Sequence, residues 1–331
     1  MDLTMEGRKV LPQPGQSLLE LVKQLGLDGS TLTERPLAAK IAGEIFTLNY
    51  IPVRQKEAEA DRQSMRRAMA ASNGEIRLLR YADPAGKECY IRTAQFTIFL
   101  AMRQLWPEAT AKMTCTLGSS VYISVAGAKD FSASTLKARV SELVGQDIPL
   151  IRRRVKLQKA IDRFREEGQT DKARLLSWRT VDYFDEYAYG DFADYYYGEM
   201  MPSTGYLTVW DILPADGGFV FVYPDDGNPE ICAKVPPMPN FFSVFNEGER
   251  WGELMECQTV ADLNDLTNSG RIRELIRVNE ALHEKRFSQV ADQVCQRGAK
   301  AVLLAGPSSS GKTTSANRLA TQLRVHGKKP I

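Results

Sequence analysis

Apolar residues fall at helical spacing in some stretches of the chain and alternate at strand spacing in others, and this pattern sets the element order. Near the start, Ser17 stands where an N-cap is needed, Leu18, Leu19, Leu21, Val22 and Leu25 line one face, and Gly26 follows. A helix is predicted over 18–25. Strand-like pieces surround it, with strands expected over 40–45 and 46–53 around the Gly43-Glu44 turn. Residues 55–71 are charged and Ala-rich and predict a helix inserted at the edge of this first module. Residues 74–81 and 87–92 read as a hairpin closed by Asp83-Pro84-Ala85-Gly86.

Further along, Phe96, Phe99, Leu100 and Leu105 predict a buried helix over 93–106 that Pro107 ends. Strands are expected over 111–116 and 121–125, then helices over 132–144 and 155–167, the second stopped by Gly168. Residues 182–210 are dense in Tyr, Phe and acids, and strands over 207–213 and 218–222 follow. Residues 224–239 carry the Pro, Asp and Asn of a loop or linker. Helices are predicted over 241–257, 260–268 and 270–296. Alternating α and β elements with an all-helical stretch before the last segment imply a multidomain α+β protein.

The last thirty residues bring in chemistry. An aliphatic run, Ala301 to Ala305, enters Gly306-Pro307-Ser308-Ser309-Ser310-Gly311-Lys312-Thr313-Thr314, and Ala316, Leu319, Ala320 and Leu323 follow at helical spacing. Strand, phosphate-binding loop and helix are thus predicted in order. Gly306 and Gly311 permit a tight turn whose N–H groups point inward at a helix N-terminus, where the dipole also favours anions. Ser308, Ser309 and Ser310 offer donors without bulk. Lys312 can reach the β- and γ-phosphates of ATP, and the Thr313 hydroxyl can ligate Mg²⁺.

Composition narrows the rest. The chain has 331 residues, 43% hydrophobic and 25% charged, which is enough for two or three cores. A formal net charge of +2 gives no whole-chain field toward nucleic acid or an anionic membrane. Five cysteines without a C-x-x-C pair argue against a disulfide framework or a cysteine zinc site and fit a reducing cytoplasm. No apolar run is long enough to span a bilayer.

Gly190 to Gly198 (GDFADYYYG), Pro202 to Leu207 (PSTGYL), Val260 to Asn264 (VADLN), Glu280 to Lys285 (EALHEK) and the phosphate loop together carry a family resemblance. The chain resembles bacterial proteins in which a TGS module and a threonyl-tRNA-synthetase-like second domain precede a uridine-kinase or phosphoribulokinase-type domain. The resemblance runs nearly end to end. It implies a TGS-like β-grasp module over 1–81 with its helical insertion near 55–72, and a synthetase-like, editing-type α+β domain over 82–239. A helical connector over 240–297 and the start of a P-loop kinase domain over 298–331 would follow. It also implies a general base just after the second kinase strand, beyond Ile331, so the 331-residue chain is expected to lack turnover by itself. In threonyl-tRNA synthetases the second domain carries a His-x-x-x-His helix and a later Cys and His. The corresponding positions here are Arg92, Phe96 and, for the cysteine, Tyr189, so neither a zinc site nor editing hydrolysis is expected.

Other chemistry-bearing residues have plainer readings. His283 lies on a charged helix, and His326 near a helix end complements the dipole. The Arg152-Arg153-Arg154-Val155-Lys156 run has no aromatic neighbour in sequence and reads as a solvated strand end rather than an RNA contact. Tyr183, Phe184, Tyr187, Tyr189, Tyr195, Tyr196 and Tyr197 read as packing rather than a base-stacking platform. Asp182, Asp185, Asp191 and Asp194 read as caps and exposed acids. The expected function is an ATP- and Mg²⁺-dependent nucleoside kinase with Lys312 stabilising transition-state charge and residues 306–314 binding the nucleotide. The alternative is an RNA- or nucleotide-sensing protein.

Overall fold

A computed structural model describes residues 3–52, 74–236 and 239–331. The helix expected over 55–71 lies outside the described residues. Contacts divide the chain into two compact units, residues 1–167 with 179–245 and residues 168–178 with 246–331.

The first unit opens with a five-stranded mixed sheet of order β2-β1-β5-β3-β4, built from β1 (Leu3–Met5), β2 (Arg8–Val10), β3 (Ala38–Ile41), β4 (Glu44–Thr47) and β5 (Glu75–Leu79). β1 runs antiparallel to β2 and parallel to β5. Helix α1 (Leu18–Gln24) begins in a full capping box: Glu20 N–H donates to Ser17 Oγ at 3.2 Å and Ser17 N–H to the Glu20 carboxylate at 2.7 Å. Those bonds hold the Glu20 carboxyl below its usual range, the Ser17 backbone donor contributing most. Leu18, Leu21 and Val22 of α1 bury against Met5, Ile41, Leu48 and Ile76. The β3–β4 turn falls on Ala42 and Gly43, both with positive φ, one residue earlier than expected, as a two-residue hairpin requires.

The segment expected as a second hairpin strand, 87–92, is instead helical. Helix α2 runs Pro84–Leu105. Pro84 in its first turn has no N–H to leave unpaired, and the Asp83 carboxylate before it accepts from Arg80 N–H at 2.9 Å. Gly86 lets this turn press on the preceding loop, since a Cβ there would lie 2.0 Å from Arg80 O. The residues that resemble a turn are therefore a helix start. Tyr90, Ala94, Phe96, Ile98 and Ala101 of α2 are all fully buried, so the helix is apolar almost all round and forms the axis of the unit's main core.

Around α2 lie two antiparallel sheets. One has order β11-β12-β7-β6, from β6 (Thr110–Thr116), β7 (Ser120–Ala126), β11 (Asp211–Ala215) and β12 (Gly218–Val222), and helix α3 (Ala133–Gly145) packs with it. The other has order β10-β9-β8, from β8 (Arg152–Lys156), β9 (Tyr183–Tyr189) and β10 (Phe192–Asp194), with helix α4 (Leu157–Glu166) following β8. The helix expected from 155 thus starts two residues later, because Arg152 to Lys156 pair with β9. Leu37, Leu79 and Tyr81 of the first module join the same core as α2. Asn49 Nδ2 donates to the carbonyls of Leu150 (3.2 Å) and Pro202 (2.7 Å), and Tyr81 Oη to Pro224 O (3.1 Å).

The second unit is helical. It contains α5 (Thr170–Ser177), α7 (Val260–Asn268), α8 (Ile272–Gln296) and α9 (Lys312–Val325), and α6 (Pro239–Leu254) leads into it. Thr259 and Asp262 form the capping box of α7, and Arg174 of α5 binds Asp262 at 2.8 Å and also Asp265. Residues 301–305, expected as a strand, form none. A strand needs a hydrogen-bonding neighbour, none of the described strands pairs with this run, and Leu303 is 96% exposed. The expected strand-loop-helix is therefore a loop and helix. Among the described residues no helix is long and apolar enough to cross a membrane.

Candidate functional site

Residues 306–314 fold as one contiguous loop running into α9. Gly311 is the N-cap of α9 in the left-handed region (φ 74°), and Ser309 also has positive φ (60°). These two reversals turn the chain sharply before the helix begins. The Gly311 carbonyl accepts the first helical bond from Ser315 N–H at 2.9 Å, so the N–H groups of Lys312, Thr313 and Thr314 precede any intrahelical acceptor. That first turn is a concentration of outward-facing donors with the positive end of the helix dipole behind it.

Lys312 is the first helical residue, yet its side chain folds back over the loop. Its Nζ donates to Gly306 O at 3.0 Å and to Pro307 O at 2.5 Å. The ammonium thereby spans the loop from the helix start to the glycine that opens it. A Cβ at Gly306 would lie 2.8 Å from Ser310 Oγ, so a larger residue there would have to turn that hydroxyl aside. Ser308, Ser309, Ser310, Thr313 and Thr314 are exposed around this arrangement. All nine expected nucleotide-contacting residues are contiguous in space. The donor set, a lysine, three first-turn N–H groups and small hydroxyls, has the chemistry of a phosphate ligand.

A second cluster lies in the first unit, where Arg92 and Phe96 stand. Arg92 Nη2 binds Glu88 at 2.5 Å, and its Nη1 donates to Glu199 O at 3.2 Å. The guanidinium sits against Gly198, where a Cβ would come within 2.7 Å of it. Phe96 is fully buried, with ring centroids 5.3 Å from Phe192 and 6.3 Å from Tyr196. Tyr189 lies apart, half-exposed at the end of β9. Nearby, the Glu199 carboxylate accepts from Tyr187 Oη at 3.1 Å and pairs with Arg152 at 2.9 Å. Burial pushes this carboxyl above its usual range against the pull of Arg152. Burial also pushes the Cys89 thiol up to about 12, which keeps it protonated and unreactive. Among the described residues no group of three or more His, Cys, Asp or Glu is arranged to hold a metal ion.

The basic run on β8 is matched by acids across the sheet. Antiparallel register sets Arg153 opposite Glu186 and Arg154 opposite Asp185. Arg153 binds Glu186 at 2.8 Å, Arg163 of α4 binds the same carboxylate at 2.6 Å, and Arg154 binds Asp185 at 2.8 Å while stacking over Tyr183 at 4.0 Å. Glu186 is fully buried, and sequence reasoning missed it. Pairing the basic strand RRRVK against the acidic strand YFDEY would have exposed this ion-pair ladder. The Arg154 hydrogen bond holds the Asp185 carboxyl below its usual range. Two of the four basic residues of the run, Arg153 and Arg154, are thus paired with acids on the neighbouring strand.

No family model matches the chain. Curated relatives do. The chain is 26% identical over 202 residues to a threonine–tRNA ligase of Halorhodospira halophila, covering 60% of the chain and 30% of that ligase. It is 22% identical over 278 residues to the threonine–tRNA ligase of Clostridium kluyveri, covering 83% of the chain and 39% of the ligase. A third, from Paraburkholderia xenovorans, is 28% identical over 141 residues, 41% of the chain and 22% of the ligase. The chain thus contains a threonyl-tRNA-ligase-like region, and it spans well under half the length of each of these relatives.

Proposed function

We propose that this protein is an ATP-dependent phosphotransferase of the nucleoside kinase class, with the loop 306–314 as its nucleotide site. One observation carries the reading: the left-handed Gly311 cap together with the Lys312 ammonium folded onto the Gly306 and Pro307 carbonyls. Such an arrangement presents backbone donors and one mobile cation to the same small volume, which suits a polyphosphate tail. Bound Mg·ATP would supply the γ-phosphoryl group. Lys312 would leave the loop carbonyls to neutralise charge on the phosphates, and the Thr313 hydroxyl would help hold the metal. The first-turn N–H groups of α9 would orient the tail. A nucleoside hydroxyl is the proposed acceptor, on the resemblance described above.

The first module and the synthetase-like region have a supporting place in this reading. The order β2-β1-β5-β3-β4 with α1 between β2 and β3 supports a TGS-like β-grasp module at the N-terminus. The Arg92 guanidinium and the buried Phe96 ring support a synthetase-like domain that has given up editing chemistry and serves as scaffold. The similarity to threonine–tRNA ligases, which by name act on threonine and tRNA, favours a second reading in which these parts sense an RNA or a nucleotide and govern the phosphate loop.

Calorimetric titration of this chain with Mg·ATP tests the nucleotide site, and phosphorylation assays on a ribonucleoside panel, run on a longer gene product that carries the expected general base, test the transfer. Wild type should bind Mg·ATP, and Lys312→Ala should weaken it at least about tenfold, as expected for loss of a charged hydrogen-bonding group. Lysine-dependent phosphorylation of one ribonucleoside would identify the acceptor. Absence of Mg·ATP binding to the wild-type chain would remove the kinase reading, and tRNA retention without nucleotide binding would put the sensing reading in its place.

A further inference from the structure

Helices α8 and α9 touch along matching faces. Glu284 of α8 binds Arg318 and also accepts from Gln322 Nε2 at 3.1 Å, Asp292 meets His326 Nε2 at 2.8 Å, and the fully buried Ala291 packs in one cluster with Leu319 and Leu323. The two contacts, Glu284 with Arg318 and Asp292 with His326, each join residues 34 positions apart, so sequence number rises along both helices together. The helices therefore run parallel. Returning the chain from the end of α8 to the start of α9 then requires about 28 Å, at about 1.5 Å per helical residue. The nine residues 299–307 span about 30 Å when extended, at about 3.3 Å each. The connecting segment is thus long enough for the parallel register.

The same register locates the phosphate loop against α8. Subtracting the offset from Lys312 reaches Val278, so the loop lies beside the N-terminal turns of α8. At about 100° per residue, Arg273, Arg277 and Glu284 all fall within about 40° of Ala291 around the helix, on the stripe that faces α9. Arg273 and Arg277 are exposed, and they occupy the part of that stripe level with the loop rather than with α9 itself. Glu280, also on the stripe, falls level with Thr314, on the helix side of the loop. On this register two arginines stand level with the start of α9, where its row of N–H groups without helical acceptors lies.

We infer that Arg273 and Arg277 form a second cationic wall of the phosphate site, contacting the polyphosphate tail of a nucleoside triphosphate from the side opposite the loop. This rests on the reading of residues 306–314 as a nucleotide site. It goes beyond that reading in placing two ligand-binding residues on the helix before the loop. Arginine suits the role because its planar fork can bind two phosphate oxygens at once.

Titration of Mg·ATP and Mg·ADP into the 331-residue chain tests it, with the wild type, Lys312→Ala, Arg273→Ala/Arg277→Ala and Arg273→Lys/Arg277→Lys compared at low and high salt. Both arginines are exposed, so the variants should unfold at the wild-type urea midpoint. The double alanine variant should weaken Mg·ATP by about tenfold, flatten its salt dependence and affect Mg·ADP less, and the double lysine variant should recover part of the loss. If Lys312→Ala loses binding while the double alanine variant stays within about twofold of wild type, the arginine wall is wrong and the loop reading survives, since loss of a charge-assisted contact exceeds that margin. If the wild type itself fails to bind Mg·ATP, the loop reading fails and takes this inference with it.

Discussion

Two carboxyl groups attached to the same three-stranded sheet carry opposite signs of pH dependence. Asp185 on β9 is held below its usual range by the Arg154 hydrogen bond, so its contribution is present above the unfolded-state pKa and is lost as pH falls through the folded value. Glu199 is raised by burial, so its contribution is complete below the unfolded-state pKa and is lost as pH rises through the folded value. Asp185→Asn should therefore cost more stability at about pH 7 than at about pH 3, and Glu199→Gln should cost more at about pH 4 than at about pH 7. Urea unfolding of each variant beside wild type at both ends of its range measures this, and parallel shifts across pH for both variants would rule out the assigned environments. At this scale residues 306–314 could be singled out as a candidate phosphate loop because their groups are consecutive in sequence and the proposed chemistry depends on that spacing. Glu186, Arg153 and Arg163 were not, since strand pairing and the β8–α4 connection bring them together from positions 33 and 23 residues apart.

Elements were legible where one local signal decided them. The Ser17 N-cap of α1 and the two-turn apolar face of 18–25 could be read directly, whereas the start of α2 could not. Asp83-Pro84-Ala85-Gly86 suits a turn and a helix start equally, and the choice fell to the apolar residues beyond it, which pack around α2 on nearly every side. Strand β12 shows the same dependence on context. All five of its residues are buried, and Gly218 at its start sits against β7 so closely that a Cβ would lie 2.0 Å from Ile123 O. Nothing in the sequence separates this glycine from an ordinary turn residue. Gly218→Ala should push β12 away from β7 and destabilise the first unit by about 1–3 kcal/mol, the usual cost of overpacking. Thermal unfolding followed at the tryptophans measures it. A variant as stable as wild type would mean that the two strands can part at that corner without cost.

At the scale of the whole molecule the two units differ in how much apolar surface they remove from water. The first buries aromatic and aliphatic side chains throughout its three sheets and the length of α2, including Tyr90, Phe96, Phe164, Phe219 and Phe221. Among the described residues, the buried apolar side chains of the second are Ala173, Leu176, Ala261, Ala291, Leu319 and Leu323, and half of these are alanine. Each ordered residue costs roughly 1–2 kcal/mol of backbone entropy, and a buried leucine returns only about 1.5–3 kcal/mol. The helical unit should therefore open first in denaturant and exchange its amide hydrogens faster than α2 or β12. On the proposed function, that difference makes residues 306–314 and the helical unit that carries them the most ligand-sensitive part of the chain. Mg·ATP at about a hundredfold above its dissociation constant should stabilise the unit that binds it by about 2.7 kcal/mol. Amide exchange with and without Mg·ATP should then show protection gained along α8 and α9, with α2 and the sheets of the first unit unchanged. Protection gained equally in both units would show that they unfold as one body. Protection confined to the first unit would place the nucleotide away from residues 306–314.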